Sequence, residues 1–162
     1  MPQLDVFIPE GALGAQAEQD LIAKLTDILL RNEGADPADP NARSIAWVWL
    51  HRPAAVYVAG TPAALPRYRV IASVPEGQFD DERREAMVAE VTEAVLDAEA
   101  DVYPRDPFRV WVFANEIPDG TWGGGGRIAR LADIAGFIFG NAQRGREYAE
   151  SRLAGRRVPV AG

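Results

Sequence analysis

The chain has 162 residues, enough for one domain with a sizeable core. Its 48% apolar and 25% charged residues are ordinary globular composition, which excludes a disordered or low-complexity protein. A net charge of −7, from 17 Lys and Arg against 24 Asp and Glu, argues against a nucleic-acid partner, because an acidic surface repels phosphates. There is no cysteine, so disulfides, thiol nucleophiles and thiolate metal sites are excluded together. The single histidine, His51, leaves little material for a His-based metal site or a Ser-His-Asp triad, and no metal is expected. The most apolar run, Leu131 to Phe139, is less than half of the roughly 20 residues a membrane helix needs. The N-terminus lacks a basic region followed by an apolar core, so no signal peptide and no membrane partner are expected, and the expected location is cytoplasmic.

From its start, the chain reads as a strand from Gln3 to Ile8 and a Pro9-Glu10-Gly11 turn. A helix from about Gln16 to Arg31 follows, with Leu21, Ile22, Leu25, Ile28 and Leu29 on one face. Gly34 to Asn41 is a linker rich in Pro and Asp, and Ser44 to Leu50 is a second strand. A shift of 66 residues then lays the sequence on itself without gaps: Pro9-Glu10-Gly11 falls on Pro75-Glu76-Gly77, Leu30 on Leu96, Arg43 on Arg109 and Gly60 on Gly126. The second unit reads Arg69 to Val74 as a strand, Asp80 as the N-cap of a helix to about Ala98, and Arg109 to Ala114 as a strand. Residues 63–67 join the units.

Strand, crossover helix and strand make a right-handed parallel unit. Two such units predict an α+β (α/β) domain over 1–162, with pseudo-repeats at 1–62 and 67–128 and an extension over 129–162. They merge into one four-stranded sheet with two helices on one face. The other face then needs cover, which oligomerisation supplies. In the extension, Ile128 to Ile134 reads as a short helix, and Arg144 to Arg157 as a solvated helix or a loose end.

Several residues could carry chemistry. Pro2 follows the initiator Met, and a small second residue permits Met removal, which frees a secondary amine. A free α-amine titrates near pH 7.7–8.0 in water, and burial lowers that, so it can act as a neutral base or a protonated acid. Pro2 also heads a predicted strand, which anchors it. Glu116 to Gly126 reads as a tight hairpin presenting Trp122, with four glycines permitting close backbone approach; it fits neither phosphate-binding glycine pattern. Trp47 with Trp49, and Trp111 with Phe113, share a strand face by alternation, as core, interface or ligand contacts. Glu33, Asp36 and Asp39 read as an acidic, solvated linker. His51 at a strand end is a surface residue or a general acid–base, and Arg67 and Arg69 are surface charges or anion ligands.

Together, Met1-Pro2, the Pro-Glu-Gly turn and the Glu116 to Gly126 hairpin resemble the tautomerase superfamily, typified by 4-oxalocrotonate tautomerase. A chain of two fused units is similar to cis-3-chloroacrylic acid dehalogenase, malonate semialdehyde decarboxylase and macrophage migration inhibitory factor. The resemblance implies a homotrimer, a small-molecule substrate, no cofactor, and Pro2 as catalytic base or acid. It also implies a pocket walled by Trp122, Phe113 and Trp111. The short-chain members carry an arginine just after the first Glu-Gly; here Ala12 and Gln78 hold those places. Arginines that bind a substrate carboxylate in the decarboxylase and dehalogenase align with Val74, Glu76 and Gln78, and the dehalogenase's water-activating glutamate falls in Gly123 to Gly126. Gln78 and Arg69 are therefore the candidate substrate ligands, with Arg67, Arg52 and Arg127 as further cations. The function implied is keto-enol tautomerisation of a small enol or 2-keto acid. Decarboxylation, dehalogenation or hydration on the same proline is the alternative, as is a non-catalytic homologue that binds a partner or small molecule.

Overall fold

The computed structural model describes residues 2–154. Strand β1 (Gln3–Phe7) alternates strictly: Leu4 and Val6 point into the core, and Gln3, Asp5 and Phe7 point to the opposite face. Helix α1 (Ala15–Glu33) lays Leu21, Leu25, Ile28 and Leu29 onto that core. It ends where Gly34 turns left-handed (φ 95°), which lets the Ala35 N–H reach back to the Leu30 carbonyl at 2.9 Å. A short helix α2 (Pro40–Ser44) and strand β2 (Trp47–His51) complete the first unit, with β2 parallel to β1. A hairpin follows, β3 (Tyr57–Val58) with β4 (Thr61–Pro62).

The second unit repeats the plan. Strand β5 (Tyr68–Pro75) leads to α3 (Asp81–Ala98), whose first turn is capped by the Asp80 carboxylate accepting from the Arg83 N–H at 2.9 Å. A 3₁₀ turn (Pro107–Arg109) and strand β6 (Val110–Ile117) follow, then the hairpin β7 (Gly123–Gly124) with β8 (Arg127–Ile128). Strands β5 and β6 are parallel, and β5 runs antiparallel to β1, so the units meet at their first strands. The sheet order is β2-β1-β5-β6, with α1 and α3 together on one face. The expected four-stranded sheet with two helices on one face is the observed architecture. Leu4, Val6, Leu25, Val70, Val74 and Met87 fill the layer between.

The boundaries differ from expectation at instructive places. The second strand starts at Trp47, not Ser44, because Asp39 caps α2 through the Asn41 and Ala42 N–H groups and Pro40 sits in its first turn. Strand β6 runs on to Ile117 instead of stopping at Ala114. The hairpin after β2 was not expected, yet it is the repeat partner of β7-β8. Ala59 and Gly60 (φ 50° and 79°) match Gly125 and Gly126 (φ 59° and 77°), and two consecutive positive φ values give a tight two-residue turn.

The extension forms α4 (Leu131–Ile138) and α5 (Ala142–Leu153). The expected helix at Ile128 begins three residues later, because Arg127 and Ile128 belong to β8. Residues 155–157 of the expected Arg-rich helix lie outside the described residues. The two helices touch backbone to backbone: a Cβ on Gly145 would fall 2.4 Å from the Gly136 nitrogen. Asp119 anchors the pair to the second unit by accepting from the Leu131 N–H at 2.8 Å.

Candidate functional site

Pro2 is buried at the head of β1, one of the two central strands. Its carbonyl accepts from the Trp47 N–H at 3.2 Å, which ties the chain start into the sheet. Because Gln3 lies opposite Ser73, the end of β5 and the turn after it share this end of the sheet with Pro2.

That turn is built by carboxylates. Glu116 accepts from the backbone N–H groups of Gly77 and Phe79 and from Arg84, each at 2.9 Å, and Glu76 accepts from the Asp119 N–H at 2.9 Å. The glutamate that opens the hairpin motif thus shapes the Pro75-Glu76-Gly77 turn. Held in that turn, Gln78 is buried. Its side-chain oxygen accepts from the Tyr148 hydroxyl at 2.8 Å, and its amide nitrogen is buried without an acceptor among the described residues. Such a donor is costly to leave unmatched, so it marks a place where an acceptor is wanted.

Gln78 and Tyr148 line a cavity of about 40 Å³ under α4, with Pro75, Leu131 and Phe139. Glu33 lines it too. Glu33 was expected in a solvated acidic linker; it is instead the last residue of α1 and only 5% exposed. Among the described residues its carboxyl has no ion-pair partner, and burial pushes it up to about 7, opposed by the positive charge at the amino terminus. Asp36 and Asp39 do behave as loop residues, accepting from nearby backbone N–H groups. The 66-residue shift lays Glu33 on Glu99, which the structure also buries.

The corresponding corner of the second unit is filled differently. The shift carries Pro2 onto Tyr68, Glu33 onto Glu99 and Arg43 onto Arg109. The Tyr68 hydroxyl donates to Glu99 at 2.8 Å, and burial together with this bond pushes its phenol well above the usual range. Arg109, 1% exposed, holds Glu99 with both terminal nitrogens and also donates to the Pro66 and Pro104 carbonyls.

The other predicted residues lie elsewhere. Phe7 pairs with Arg69, which stands alongside Trp111, so both are at the far end of the sheet from Pro2. Five residues of strand separate them, roughly 17 Å. Arg69 lies over the Phe7 ring (3.9 Å to the centroid), Phe7 stacks on His51, and the His51 Nε2 is 2.7 Å from an Asp5 carboxylate oxygen. Phe7, Arg69, Trp111 and Phe108 border a larger cleft of about 780 Å³ that includes Arg67, whose Nε is buried without a partner among the described residues. Arg52 is held bidentate by Glu18 at 2.6 Å, and Arg127 lies in β8. Phe113 sits in mid-strand, exposed with Trp47, Trp49 and Trp111 on the face away from the helices. Trp122 precedes β7, its carbonyl accepting from the Ala129 N–H at 2.9 Å. Within one chain, the structure brings Pro2 and Gln78 to one end and leaves Arg69 and Trp111 at the other. Among the described residues no three His, Cys, Asp or Glu side chains cluster to hold a metal, and no helix is long and apolar enough to cross a membrane.

Residues 70–131 match the family of tautomerase enzymes. No curated protein sequence matches the chain. Among solved structures, wild-type fused 4-OT in an asymmetric trimer superposes with a TM-score of 0.64 at 22% identity, over 78% of this chain and 95% of its own. N1, a member of the cis-3-chloroacrylic acid dehalogenase family, gives 0.63 at 18% identity over 93% and 97%. Macrophage migration inhibitory factor of Toxoplasma gondii gives 0.60 at 12% identity over 78% and 99%. The sequence match to tautomerase enzymes thus covers the second unit, and the chain shares with these solved structures a fold of two fused β-α-β units.

Proposed function

We propose that the protein is an enzyme that interconverts the keto and enol forms of a small enol or 2-keto acid, with the Pro2 amine, freed by Met1 removal, as the proton carrier. The observation that carries this is the position of Pro2: buried at the head of a central strand, at the end of the sheet where Gln78 holds an unmatched amide donor. The Pro2 nitrogen takes the enol O–H proton and delivers it to the adjacent carbon as the C=C electrons move to that carbon and the carbonyl forms. A buried site favours the neutral amine and excludes competing water. The Gln78 amide is the donor placed to hold the substrate oxygen, in the position where the short-chain relatives carry an arginine. An amide matches a carbonyl or enol oxygen better than a carboxylate, which calls for a bidentate cation.

The assembly proposed is a homotrimer, as in the fused 4-OT structures. The sheet face away from the helices supports it, with Trp47 and Trp111 59% and 65% exposed there. Arg69, Trp111 and Phe113 then serve a site only through a neighbouring protomer, and Trp122 walls the site from within. The proposed location is the cytoplasm, on the sequence grounds given above. A hydrolytic or decarboxylating reaction on the same proline is the second reading, favoured by the 93% span shared with N1. It is weakened by Gly123 to Gly126, which offer no carboxylate to activate water.

The test is ketonisation of an arylpyruvate enol by protein whose N-terminus has been verified by mass. Loss of one positioned proton-transfer group predicts a fall of about 10²–10⁴-fold in Pro2→Ala. No rate above background in the intact, Met1-free protein would overturn the tautomerase reading.

A further inference from the structure

We propose that Glu33 is the carboxylate partner of the Pro2 amine, a positioning residue that holds the proton shuttle's counter-charge. This rests on the role just assigned to Pro2 and adds a residue to it.

The internal repeat points to this pairing. In the second unit the side chain at the strand head, Tyr68, and the carboxyl at the helix end, Glu99, meet at 2.8 Å. The first unit has the same strand and the same crossover helix at the 66-residue shift, and a parallel second strand set two residues along: Gln3 lies beside Trp47, whereas Arg69 lies beside Trp111. Position 2 stands where position 68 stands, and Glu33 where Glu99 stands. The shared backbone therefore turns Glu33 toward the head of β1. Like Glu99, Glu33 is buried.

What differs is the third member. Arg109 neutralises Glu99, but its counterpart Arg43 turns away, donating to Asp27 at 2.6 Å and to the Pro37 carbonyl at 2.8 Å. The charged and titratable groups on the elements around Glu33 are also committed elsewhere. Arg83 and Arg152 both donate to the Gln78 carbonyl at 3.0 Å, Tyr148 donates to the Gln78 side chain, and Glu90 pairs with Arg31 and Asn32. A buried carboxyl left without an arginine calls for another cation, and the first unit has one that the second lacks: a chain-terminal amine at the strand head. Proline also has no phenol to reach the carboxyl. The cavity of about 40 Å³ beside Glu33 has room for a water on its carboxyl. A carboxylate there stabilises the ammonium formed when Pro2 accepts a proton. The protonated carboxyl, which burial favours, leaves the amine free to accept one.

The experiment is an NMR titration of the Pro2 amine in Met1-free protein labelled with ¹⁵N-proline, for wild type, Glu33→Gln and Glu33→Asp, with the pH profile of ketonisation measured alongside. Removing an opposite charge at this range lowers an amine's pKa by about 1–3 units, so about a tenfold or greater change in the protonated fraction is expected in Glu33→Gln. The acidic limb of the kcat/KM profile should move down with it, and Glu33→Asp should lie between the two. An amine that titrates at its wild-type value in both folded variants overturns the proposal. If the amine shifts in Glu33→Gln while Pro2→Ala still catalyses ketonisation, the pairing stands and the tautomerase role of Pro2 falls. If Pro2→Ala is inactive and neither Glu33 variant moves the amine, the tautomerase role stands and the pairing falls.

Discussion

The two β-α-β units share one strand–helix–strand plan and finish the corresponding corner in opposite ways. In the second unit Tyr68, Glu99 and Arg109 close on one another, so every charge is matched by a neighbour. In the first unit the strand head is a proline, the carboxyl is Glu33, and the arginine has turned to Asp27. A sealed ion pair contributes order but no chemistry. Among the described residues Glu33 has no ion-pair partner, and a buried carboxyl without one costs stability and responds to protons.

The largest effect expected from disturbing this comparison is at the sealed corner. Arg109→Leu leaves Glu99 buried and unpaired, which should cost about 3–5 kcal/mol in urea unfolding. The double change with Glu99→Leu should recover most of that loss. A loss no larger than about 1 kcal/mol, the worth of an exposed pair, would show that this corner opens to water.

The open corner should announce itself through pH. The Glu33 carboxyl titrates near its ordinary 4.5 in the unfolded chain and at about 7 in the folded one. Between those values the native state holds more protons than the unfolded state, so this residue's contribution falls as pH rises through the window and is level above it. A displacement of that size corresponds to about 3 kcal/mol. Unfolding free energies of Glu33→Gln, measured from pH 4 to 8, should lack that decline. An identical slope in the variant would assign the decline to another group.

The smallest effect is Tyr68→Phe, which removes a single hydrogen bond to a carboxylate that Arg109 still neutralises. About 1.5–3 kcal/mol is expected in the same unfolding assay. Its additivity with Arg109→Leu would show whether the three side chains act as a unit.

Much of the fold was legible because it is written in periodicity. Leu4 and Val6 alternate, Leu21, Leu25, Ile28 and Leu29 recur at helical spacing, and the 66-residue shift repeats both patterns. The first hairpin was missed because Ala59 takes a left-handed conformation that its residue type does not advertise, whereas the glycines of the second hairpin do. Pro2 and Gln78 were legible as candidates from position and from the family resemblance. Glu33 was not, because a glutamate beside Asp36 and Asp39 looks like part of a solvated run, and it is α4, the turn at Gln78 and Tyr148 of α5, gathered at the end of α1, that surround it.

The two units, their strand–helix–strand order and the acidic, cysteine-free character of the chain can be read from residue order, since composition and hydrophobic period are local properties. Which residues share an end of the sheet depends on how the strands pair. Antiparallel pairing of β1 with β5 carries Gln78 toward Pro2 and Arg69 away from it, and that direction is set by how the two units bury their apolar faces together.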